Sequence, residues 1–288
     1  MQNGYTDLLI GMSKTGLNNQ KKEENDHYDE NGLLICGRCG CKKQAFIKTA
    51  AFGEEKTIKV AVTCKCDEER VAERKKREEE ERLKELTKKM RRMSLMDAKY
   101  ESASFDNCVT TEYNSQNFKL CRSYVKRFEE MMRKNQGMLM FGNVGTGKSY
   151  AAACIANELL NRNIPVVMTS FVKMLAALSN YDEHAEEMMQ LLNNANLVIF
   201  DDLGAERKTD YALEKVYDII DNRYRSNKPM IVTTNLTLEE MSSEVDIRLK
   251  RIYDRLFETC YPMQFTGPSW RESKMAANWN SMQKFLEG

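Results

Sequence analysis

From about residue 96 onward, short apolar runs alternate with longer stretches that have helical periodicity. Five runs have the composition of buried strands, namely GMLMF (137–141), IPVVMTS (164–170), NLVIFD (196–201), PMIVTT (229–234) and YPMQFTG (261–267). Helical patterns fill the intervals near 147–162, 171–194, 210–226 and 245–258. Nearly continuous apolar strands that alternate with helices are typical of a parallel sheet covered on both faces. The pattern therefore predicts an α/β domain over residues 96–288.

The first 95 residues follow a different pattern, in three segments. Residues 1–31 are polar and irregular and predict a flexible N-terminal arm. Residues 32–66 hold five cysteines around two stretches, QAFIK and TIKVAVT, that predict strands. Residues 67–95 are rich in charge, contain no Gly or Pro, and predict a linker helix. This helix carries a short apolar seam, expected to dock on the next domain, that consists of Leu83, Leu86, Met90 and Met93.

Composition narrows the class of protein. A chain of 288 residues with 42% hydrophobic and 30% charged residues fits a soluble globular protein with an extra charged segment. Its apolar runs are far shorter than the roughly 20 residues that span a bilayer, so we expect no membrane segment. The N-terminus lacks a charged region followed by an apolar core, so we expect no secretion signal. Nine clustered cysteines suit a reducing, cytoplasmic compartment and a metal site.

The segment GNVGTGKS follows the first predicted strand of the α/β domain and opens its first long helix. It fits the pattern G-x-x-x-x-G-K-[ST], in which backbone N–H groups wrap a phosphate. We expect Lys148 to reach the β- and γ-phosphates of ATP and Ser149 to bind Mg²⁺. The alternative is a chance glycine-rich turn, which the flanking strand and helix disfavour. The predicted nucleotide-binding residues are Gly142, Asn143, Val144, Gly145, Thr146, Gly147, Lys148 and Ser149.

Two carboxylates stand side by side at the tip of another buried strand, in LVIFDDLGAE (197–206). Ligands of parallel sheets bind at the carboxyl ends of the strands, so we expect Asp201 to hold Mg²⁺ together with Ser149. Asp202 is the candidate to orient the attacking water. Its side chain is one methylene shorter than a glutamate, which predicts a slow, switch-like ATPase. The alternative is that the pair caps the next helix.

Polar and basic residues after the later strands complete the predicted catalytic set. Asn235 ends the run PMIVTTNL and is expected to contact the γ-phosphate or the water, unless Thr234 or Asn235 only caps a short helix. In DIRLKRIYDRLFETC, one helical stripe carries Arg248, Arg251 and Arg255. This stripe suits an arginine finger supplied to the ATP of an adjacent subunit, with Arg255 or Arg251 preferred. A solvated basic face is the alternative.

The cysteines of residues 32–66 form two close pairs. Cys36-x-x-Cys39 and Cys64-x-Cys66 supply four thiolates for a tetrahedral Zn²⁺ site. Such a site stabilises a ribbon too small to rely on its apolar core. Cys41 remains open as a replacement for one ligand, and reduced free cysteines are the alternative to a metal site.

As a set, GNVGTGKS, LVIFDDLGAE, IVTTNL and RIYDRL…GPSWR resemble the bacterial DnaC/DnaI-type helicase loaders and IstB-type transposition helper ATPases, which are AAA+ proteins. DDLG is the usual acid motif of that family. The resemblance covers about residues 96–271. It implies a five-stranded parallel sheet of order 5-1-4-3-2 without a C-terminal lid, ATP-dependent homo-oligomerisation and contact with single-stranded DNA. It also implies that SASFDN (102–107) lies near the adenine and that the 171–194 helices face DNA. Arg271 matches the family pattern but receives no role from it.

The resemblance implies a loader that places a hexameric replicative DNA helicase on single-stranded DNA. ATP binding is expected to drive assembly, slow hydrolysis to drive release, and the zinc-binding module to dock the helicase. Aromatic residues are too sparse in 32–66 to predict a stacking platform, although Lys42, Lys43 and Lys48 leave DNA contact open. Two alternatives remain: an IstB-like ATPase that regulates transposition, and a zinc-dependent nucleic-acid-binding adaptor with an idle ATPase. Mutation of Lys148 separates the adaptor from the loader.

Overall fold

The computed structural model describes residues 17, 20, 22–51, 54–94, 96–178, 183–205 and 209–287. Much of the predicted arm, residues 179–182 of a predicted helical stretch, and Glu206 after the acid pair lie outside the described residues. The chain divides into two compact units between Glu81 and Arg82. Each unit is described by itself.

The N-terminal unit consists of two small hairpins and the beginning of a long helix. Both hairpins are antiparallel. Their strands are β1 (His27–Tyr28), β2 (Leu34–Ile35), β3 (Gln44–Ala51) and β4 (Glu54–Ala61). The helix α1 (Lys65–Met93) follows and crosses the boundary between the units. The two strands predicted in this region correspond to β3 and β4.

The hairpin β1–β2 begins within the segment that we predicted to be a flexible arm. His27 pairs with Ile35, and Tyr28 pairs with Leu34. The polar residues before Leu34 serve the turn, since Oδ1 of Asp29 accepts hydrogen bonds from the amides of Asn31 and Leu33. The hairpin therefore includes His27 and Tyr28 of the predicted arm, because the polar residues of a turn have the same composition as a mobile segment.

The C-terminal unit contains a five-stranded sheet and the helices around it. Its elements are α2 (Ala98–Glu101), α3 (Ser115–Lys126), α4 (Phe128–Arg133), β5 (Gly137–Gly142), α5 (Lys148–Asn161), β6 (Val166–Ser170), α6 (Phe171–Leu178), α7 (Glu183–Asn194), β7 (Leu197–Leu203), α8 (Asp210–Arg225), β8 (Met230–Thr234), α9 (Leu238–Ser242), α10 (Ile247–Thr259), β9 (Cys260–Phe265) and α11 (Trp270–Glu287). The helical stretch predicted at 171–194 thus contains two separate helices.

All strand pairs of this sheet are parallel, and the strands lie in the order β6-β7-β8-β5-β9. Counted from the first strand of the unit this order is 2-3-4-1-5, which is the predicted 5-1-4-3-2 viewed from the other edge. The predicted five-stranded parallel sheet is confirmed.

The sheet separates two apolar clusters, because alternate residues of a strand point to opposite faces. In β5, Leu139 belongs to one cluster, whereas Met138 and Met140 belong to the other. The end of α1 packs on the first of these clusters, where Met90 is fully buried and Leu86 is partly buried. The predicted docking of the α1 seam is confirmed at these two residues.

Within the described residues, no helix has both the length and the apolar character that a membrane span requires.

Candidate nucleotide and metal sites

The loop between β5 and α5 requires glycine at defined positions. Gly142, Gly145 and Gly147 have φ angles of +125°, +80° and +102°, which L side chains rarely adopt. A Cβ atom on Gly142 would lie 2.2 Å from the carbonyl oxygen of Phe265. A Cβ atom on Gly145 would lie 2.2 Å from Oγ of Ser269. The loop therefore presents bare backbone to the space above it, as a phosphate cradle must.

Lys148 is the first residue of α5, and its side chain turns back over the loop. Its Nζ donates hydrogen bonds to the carbonyl oxygens of Gly142 at 2.8 Å and Asn143 at 2.7 Å, and to Oδ1 of Asn235 at 2.9 Å. Burial lowers the pKa of Lys148, although the carboxylates of Asp202 and Asp201 oppose this shift. The amino group is thus held between the loop and Asn235, which follows β8.

The acid pair at the end of β7 is fixed by a residue that the sequence analysis missed. Oγ1 of Thr233, in β8, donates a hydrogen bond to Oδ1 of Asp201 at 2.6 Å. The same oxygen accepts a hydrogen bond from the amide of Asp202 at 2.9 Å. Asp202 has a φ angle of +62°, which is uncommon for a residue other than glycine. This backbone turn aims the two neighbouring carboxylates in different directions.

Asn235 connects this pair to the phosphate loop. Its Nδ2 donates a hydrogen bond to Oδ1 of Asp202 at 2.9 Å, while its Oδ1 accepts from Lys148. The simpler alternatives for these residues are wrong. Helix α8 is capped by Thr209 and not by the acid pair. Helix α9 is capped by Thr237, which forms a capping box with Glu240.

A cavity of about 360 Å³ opens above the phosphate loop. Its lining includes Lys148, Ser149, Asp201, Asn235 and Arg271. The sequence assigned no role to Arg271. The amide of the preceding residue, Trp270, donates to the carbonyl oxygen of Gly145 at 2.9 Å, which fixes the start of α11 against the loop. The cavity therefore combines four cationic side chains with three carboxylates, and both kinds of charge are needed to bind a nucleotide triphosphate with a divalent cation.

A second cavity of about 570 Å³ adjoins the first and shares Gly147 with it. Its lining is mainly apolar and includes Asn107, Val109, Tyr150 and Trp270. A flat apolar space beside a phosphate loop, with an amide side chain at its wall, has the chemistry of a base-binding pocket.

The segment before this second cavity is held in place by α5. Nδ2 of Asn157 donates hydrogen bonds to the carbonyl oxygens of Tyr100 at 2.9 Å and Ala103 at 2.8 Å. Arg122 in turn donates to the carbonyl oxygen of Phe105 at 2.6 Å. Residues 102–107 therefore lie beside the phosphate-loop helix. That they also lie near the adenine remains what the resemblance implies.

The arginine stripe of α10 has three different environments. Arg248 forms ion pairs with Asp210 and Asp246 at 2.7 and 2.9 Å. Arg255 forms an ion pair with Asp221 at 2.6 Å and lies over the ring of Tyr217, with its guanidinium carbon 4.6 Å from the centroid. Arg251 is exposed and, within the part of the chain that the structure describes, makes no ion pair.

The N-terminal unit brings four cysteines together. The Sγ atoms of Cys36, Cys39, Cys64 and Cys66 all lie within 4.8 Å of one another. A tetrahedral zinc site with bonds of about 2.3 Å has sulfur–sulfur edges of about 3.8 Å, so this set fits zinc with small adjustments. Cys41 is not part of this cluster. The four predicted ligands are therefore the ones that the fold brings together.

A buried ion pair supports the first cysteine loop. Nζ of Lys43 lies 2.8 Å from Oδ2 of Asp26, and both side chains are almost completely buried. Oδ1 of Asp26 accepts a hydrogen bond from the amide of Gly37, between Cys36 and Cys39. The Lys43 hydrogen bond lowers the pKa of Asp26 to about 2. The sequence left DNA contact open for Lys43, but the fold buries its ammonium group in an ion pair with Asp26.

The same ammonium group lies near Asp67, whose carboxylate contacts the second cysteine pair. Lys43 Nζ lies 3.8 Å from Oδ2 of Asp67, and Sγ of Cys64 lies 3.3 Å from that oxygen. Cys64 and Cys66 also stand at the N-terminus of α1. Lys43 therefore links the carboxylate beside the first cysteine loop to the carboxylate that contacts Cys64.

The parallel sheet, the phosphate loop and the acid-tipped strand define a P-loop ATPase of the AAA+ class. The family model of the IstB-like ATP binding protein matches residues 47–277, and the chain belongs to that family. The resemblance stated from the motifs is confirmed.

Two curated relatives and one solved structure place the chain within this class. The replicative helicase loader DnaC of Escherichia coli (strain K12) is 26% identical over 194 residues, which cover 66% of this chain and 72% of DnaC. The replicative helicase loader DnaI of Bacillus subtilis (strain 168) is 22% identical over 166 residues, 54% of this chain and 53% of DnaI. A crystal structure of DnaI superposes with a TM-score of 0.52 at 24% identity, and covers 62% of this chain and 98% of that structure. At this identity the superposition shows a shared fold.

Proposed function

We propose that this protein is an ATP-dependent loader of a hexameric replicative DNA helicase onto single-stranded DNA. The main support is the cavity above the phosphate loop, in a chain of the IstB-like family. The similarity of this chain to the replicative helicase loader DnaC extends over 194 residues. In this proposal ATP binding drives assembly of several copies with the helicase and the DNA strand. Slow hydrolysis then releases the loader.

The chain's own residues have distinct tasks in this ATPase cycle. Lys148 leaves the carbonyl oxygens of Gly142 and Asn143 and binds the phosphates, with Arg271 as a second cation. Ser149 and Asp201 would hold a Mg²⁺ ion, which would supply positive charge to the phosphates of ATP. The base enters the cavity that is lined by Asn107 and Tyr150 and shares Gly147 with the phosphate cavity.

Hydrolysis requires an oriented water and a compensating charge. Asp202 orients the attacking water, and Asn235 fixes that carboxylate through their 2.9 Å hydrogen bond. Among the arginines of α10, Arg251 is the one we assign as the finger to a neighbouring copy, because it is exposed and unpaired within the described residues. Arg255 is held by Asp221 and Tyr217 of its own chain, so its task is to position α10 on α8.

The zinc-binding module is proposed to dock the helicase. The IstB-like match begins at residue 47, so β1, β2 and the first cysteine pair lie outside the shared ATPase. A module that the shared ATPase family only partly includes is a suitable adaptor for one particular partner. We propose zinc as its metal because four cysteine sulfurs converge in one cluster, which is the donor set of a structural zinc site.

The test is a pull-down of a hexameric replicative helicase, with and without ATP, using the full chain and a chain without residues 1–81. The truncation ends before Leu86 and Met90, because these residues belong to the ATPase core. The loader proposal expects ATP-dependent helicase capture that the truncation abolishes. Helicase-independent, ATP-dependent coating of duplex DNA would instead support an IstB-like transposition regulator. Helicase capture unaffected by Lys148→Ala would support an adaptor whose ATPase is idle.

A further inference from the structure

The zinc-binding unit exposes two aromatic rings that its small core does not use. Tyr28 in β1 is 56% exposed, and Phe46 in β3 is 51% exposed. Aromatic side chains have large apolar surfaces, and a folded protein normally buries most of that surface. Two half-exposed rings in one small unit therefore suggest a binding surface.

Lysines lie between and beside these rings. Phe46 and Lys59 are directly opposite each other in the β3–β4 register, so both side chains lie on the same face of the hairpin. Nζ of Lys59 lies 5.8 Å from the centroid of the Tyr28 ring and donates a hydrogen bond to the carbonyl oxygen of Gly32 at 2.5 Å. Nζ of Lys22 lies 5.3 Å from the same centroid. The side chains thus alternate as Lys22, Tyr28, Lys59 and Phe46, and we call this set the aromatic–lysine row.

The fold explains why the row is open to solvent. Gln44, two residues before Phe46 on the same face of β3, is buried and accepts a hydrogen bond from the amide of Leu34 through Oε1 at 3.0 Å. The first hairpin therefore covers the Gln44 end of this face and stops before Phe46. Lys48, the next residue on that face, is exposed and extends the row with a third ammonium group.

We propose that the aromatic–lysine row binds single-stranded nucleic acid. Bases stack on exposed aromatic rings irrespective of sequence, and ammonium groups between the rings match the phosphates that separate successive bases. An acidic peptide would satisfy the lysines but would leave both rings in water, so the rings favour nucleic acid. The bases of a duplex expose only their edges in the grooves, so they cannot stack on the rings of Tyr28 and Phe46.

This inference goes beyond the proposed loader function and does not depend on it. The sequence argued against a stacking platform because aromatic residues are sparse within residues 32–66. Tyr28 lies outside that range. Only the pairing of β1 with β2 and the hydrogen bond from Lys59 to Gly32 bring Tyr28 into line with Phe46. In a loader, the row would hold the strand at the module, separately from any contact that the ATPase unit makes.

The experiment measures binding of a fluorescein-labelled oligo(dT) to the full-length, zinc-loaded protein by fluorescence anisotropy without nucleotide. Phe46→Ala and Tyr28→Ala are each expected to weaken binding roughly tenfold. Ile47→Ala is the matched control, because Ile47 is 46% exposed on the opposite face of the same strand. Phe46→Tyr retains a ring and is expected to bind as the wild type does, which separates loss of stacking from loss of folding. All variants are compared at equal zinc content.

Charge and location are tested in the same protein. Lys59→Gln is expected to reduce the slope of log K against log salt by about 0.7, whereas Lys42→Gln leaves it unchanged. Ultraviolet cross-linking to oligo(dT), followed by peptide mass analysis, is expected to yield adducts at Tyr28 or Phe46. Wild-type affinity of the Tyr28→Ala/Phe46→Ala variant, or adducts confined to residues beyond 82, would overturn the proposal. Equal binding of poly-glutamate through the same residues would overturn it in favour of an acidic peptide. A failed helicase pull-down has no bearing on any of these outcomes.

Discussion

The amino group of Lys148 donates a hydrogen bond to Oδ1 of Asn235 across 2.9 Å, although the two residues are 87 positions apart in the chain. The other side-chain atom of Asn235 donates to Asp202. One amide therefore joins the group that is proposed to bind the phosphates to the carboxylate that is proposed to orient the water. When a nucleotide draws Lys148 away, Oδ1 of Asn235 loses its donor, whereas Nδ2 can keep its hydrogen bond to Asp202.

Replacement of Asn235 by alanine is expected to affect hydrolysis more than binding. Without the amide, Asp202 loses its orienting hydrogen bond, and the turnover of ATP should fall about a hundredfold. Nucleotide affinity should change much less, since Lys148 and the loop amides remain. Steady-state ATPase rates and binding of a fluorescent ATP analogue measure the two effects, with the exposed Asn193→Ala as control. Equal losses in affinity and turnover would show that Asn235 is only part of the binding surface.

Thr233→Val tests the hydroxyl that fixes the acid pair. Valine preserves the shape of threonine but removes the hydrogen bonds to Asp201 and to the amide of Asp202. Groups that orient a metal ligand typically contribute about tenfold to a hundredfold in affinity. The Mg²⁺ concentration for half-maximal ATPase activity should therefore rise about tenfold. Thr259→Val, at the buried threonine that ends α10 and whose hydroxyl donates to the carbonyl oxygen of Arg255, is the control and should not change it. A Thr233 variant with unaltered Mg²⁺ dependence would remove this residue from the site.

The sheet and the phosphate loop were predictable because their signals are local. Each strand is a short apolar run, and the loop needs glycines at fixed spacing, so neither depends on distant residues. Thr233 was missed for the opposite reason. In IVTTNL both threonines have the same local pattern, and only the pairing of β7 with β8 selects the one that reaches Asp201.

Asp26 and Lys43 show a second limit of sequence patterns. A buried ion pair between two short segments has no hydrophobic signal, and Asp26 lies among polar residues that have the composition of a flexible arm. Similarly, the pattern of α10 shows a stripe of arginines but not that Arg255 is already paired with Asp221 on α8. Long-range polar contacts depend on the folded geometry, whereas strands and motifs do not.

Removal of zinc should unfold the N-terminal unit and leave the ATPase unit folded. The former has a small core beside its four cysteines, whereas the latter contains two large apolar clusters. Calorimetry with and without a chelator should show loss of one transition and retention of the other. Cys64→Ser should lower zinc affinity at least about a hundredfold, while Cys41→Ser, outside the cluster, should not. A chelator that leaves both transitions unchanged would rule out a structural metal.

The Asp26–Lys43 pair should be insensitive to pH across the neutral range. The pKa of Asp26 is lowered to about 2 from an ordinary value of 3.8, so its contribution is complete above pH 4 and is lost only as pH falls towards 2. Asp26→Asn leaves a buried ammonium group poorly compensated and should reduce the free energy of unfolding of the unit by about 3 kcal/mol. Urea unfolding should give the same difference from wild type at pH 8 and at pH 5. If the loss of stability in Asp26→Asn were smaller at pH 5 than at pH 8, the pKa of Asp26 would not be as low as stated. The control is Glu24→Gln, at an exposed residue, which should not change the free energy of unfolding at either pH.

Arg251 and Arg255 should differ in a mixing experiment. If Arg251 acts on the ATP of a neighbouring copy, Arg251→Ala should bind ATP normally but lose most of its hydrolysis, about a thousandfold for a removed finger. Lys148→Ala protein is also inactive, because its own site cannot bind phosphate, but it retains Arg251. Mixing the two inactive proteins should therefore restore part of the activity, since the Lys148→Ala copy supplies its arginine to the intact site of the other.

Arg255→Ala provides the matched comparison on the same helix. This change removes the ion pair with Asp221 and the contact with the Tyr217 ring, so it should lower the melting temperature of the ATPase unit. Its ATPase activity should fall only as far as the fraction of folded protein falls. Mixing with the Lys148→Ala protein should not restore that activity. Rescue of Arg255→Ala but not of Arg251→Ala would reverse the assignment. In that case the Asp221 contact would have to open when two copies meet, and Arg255 would be a finger that is stored against its own chain until assembly.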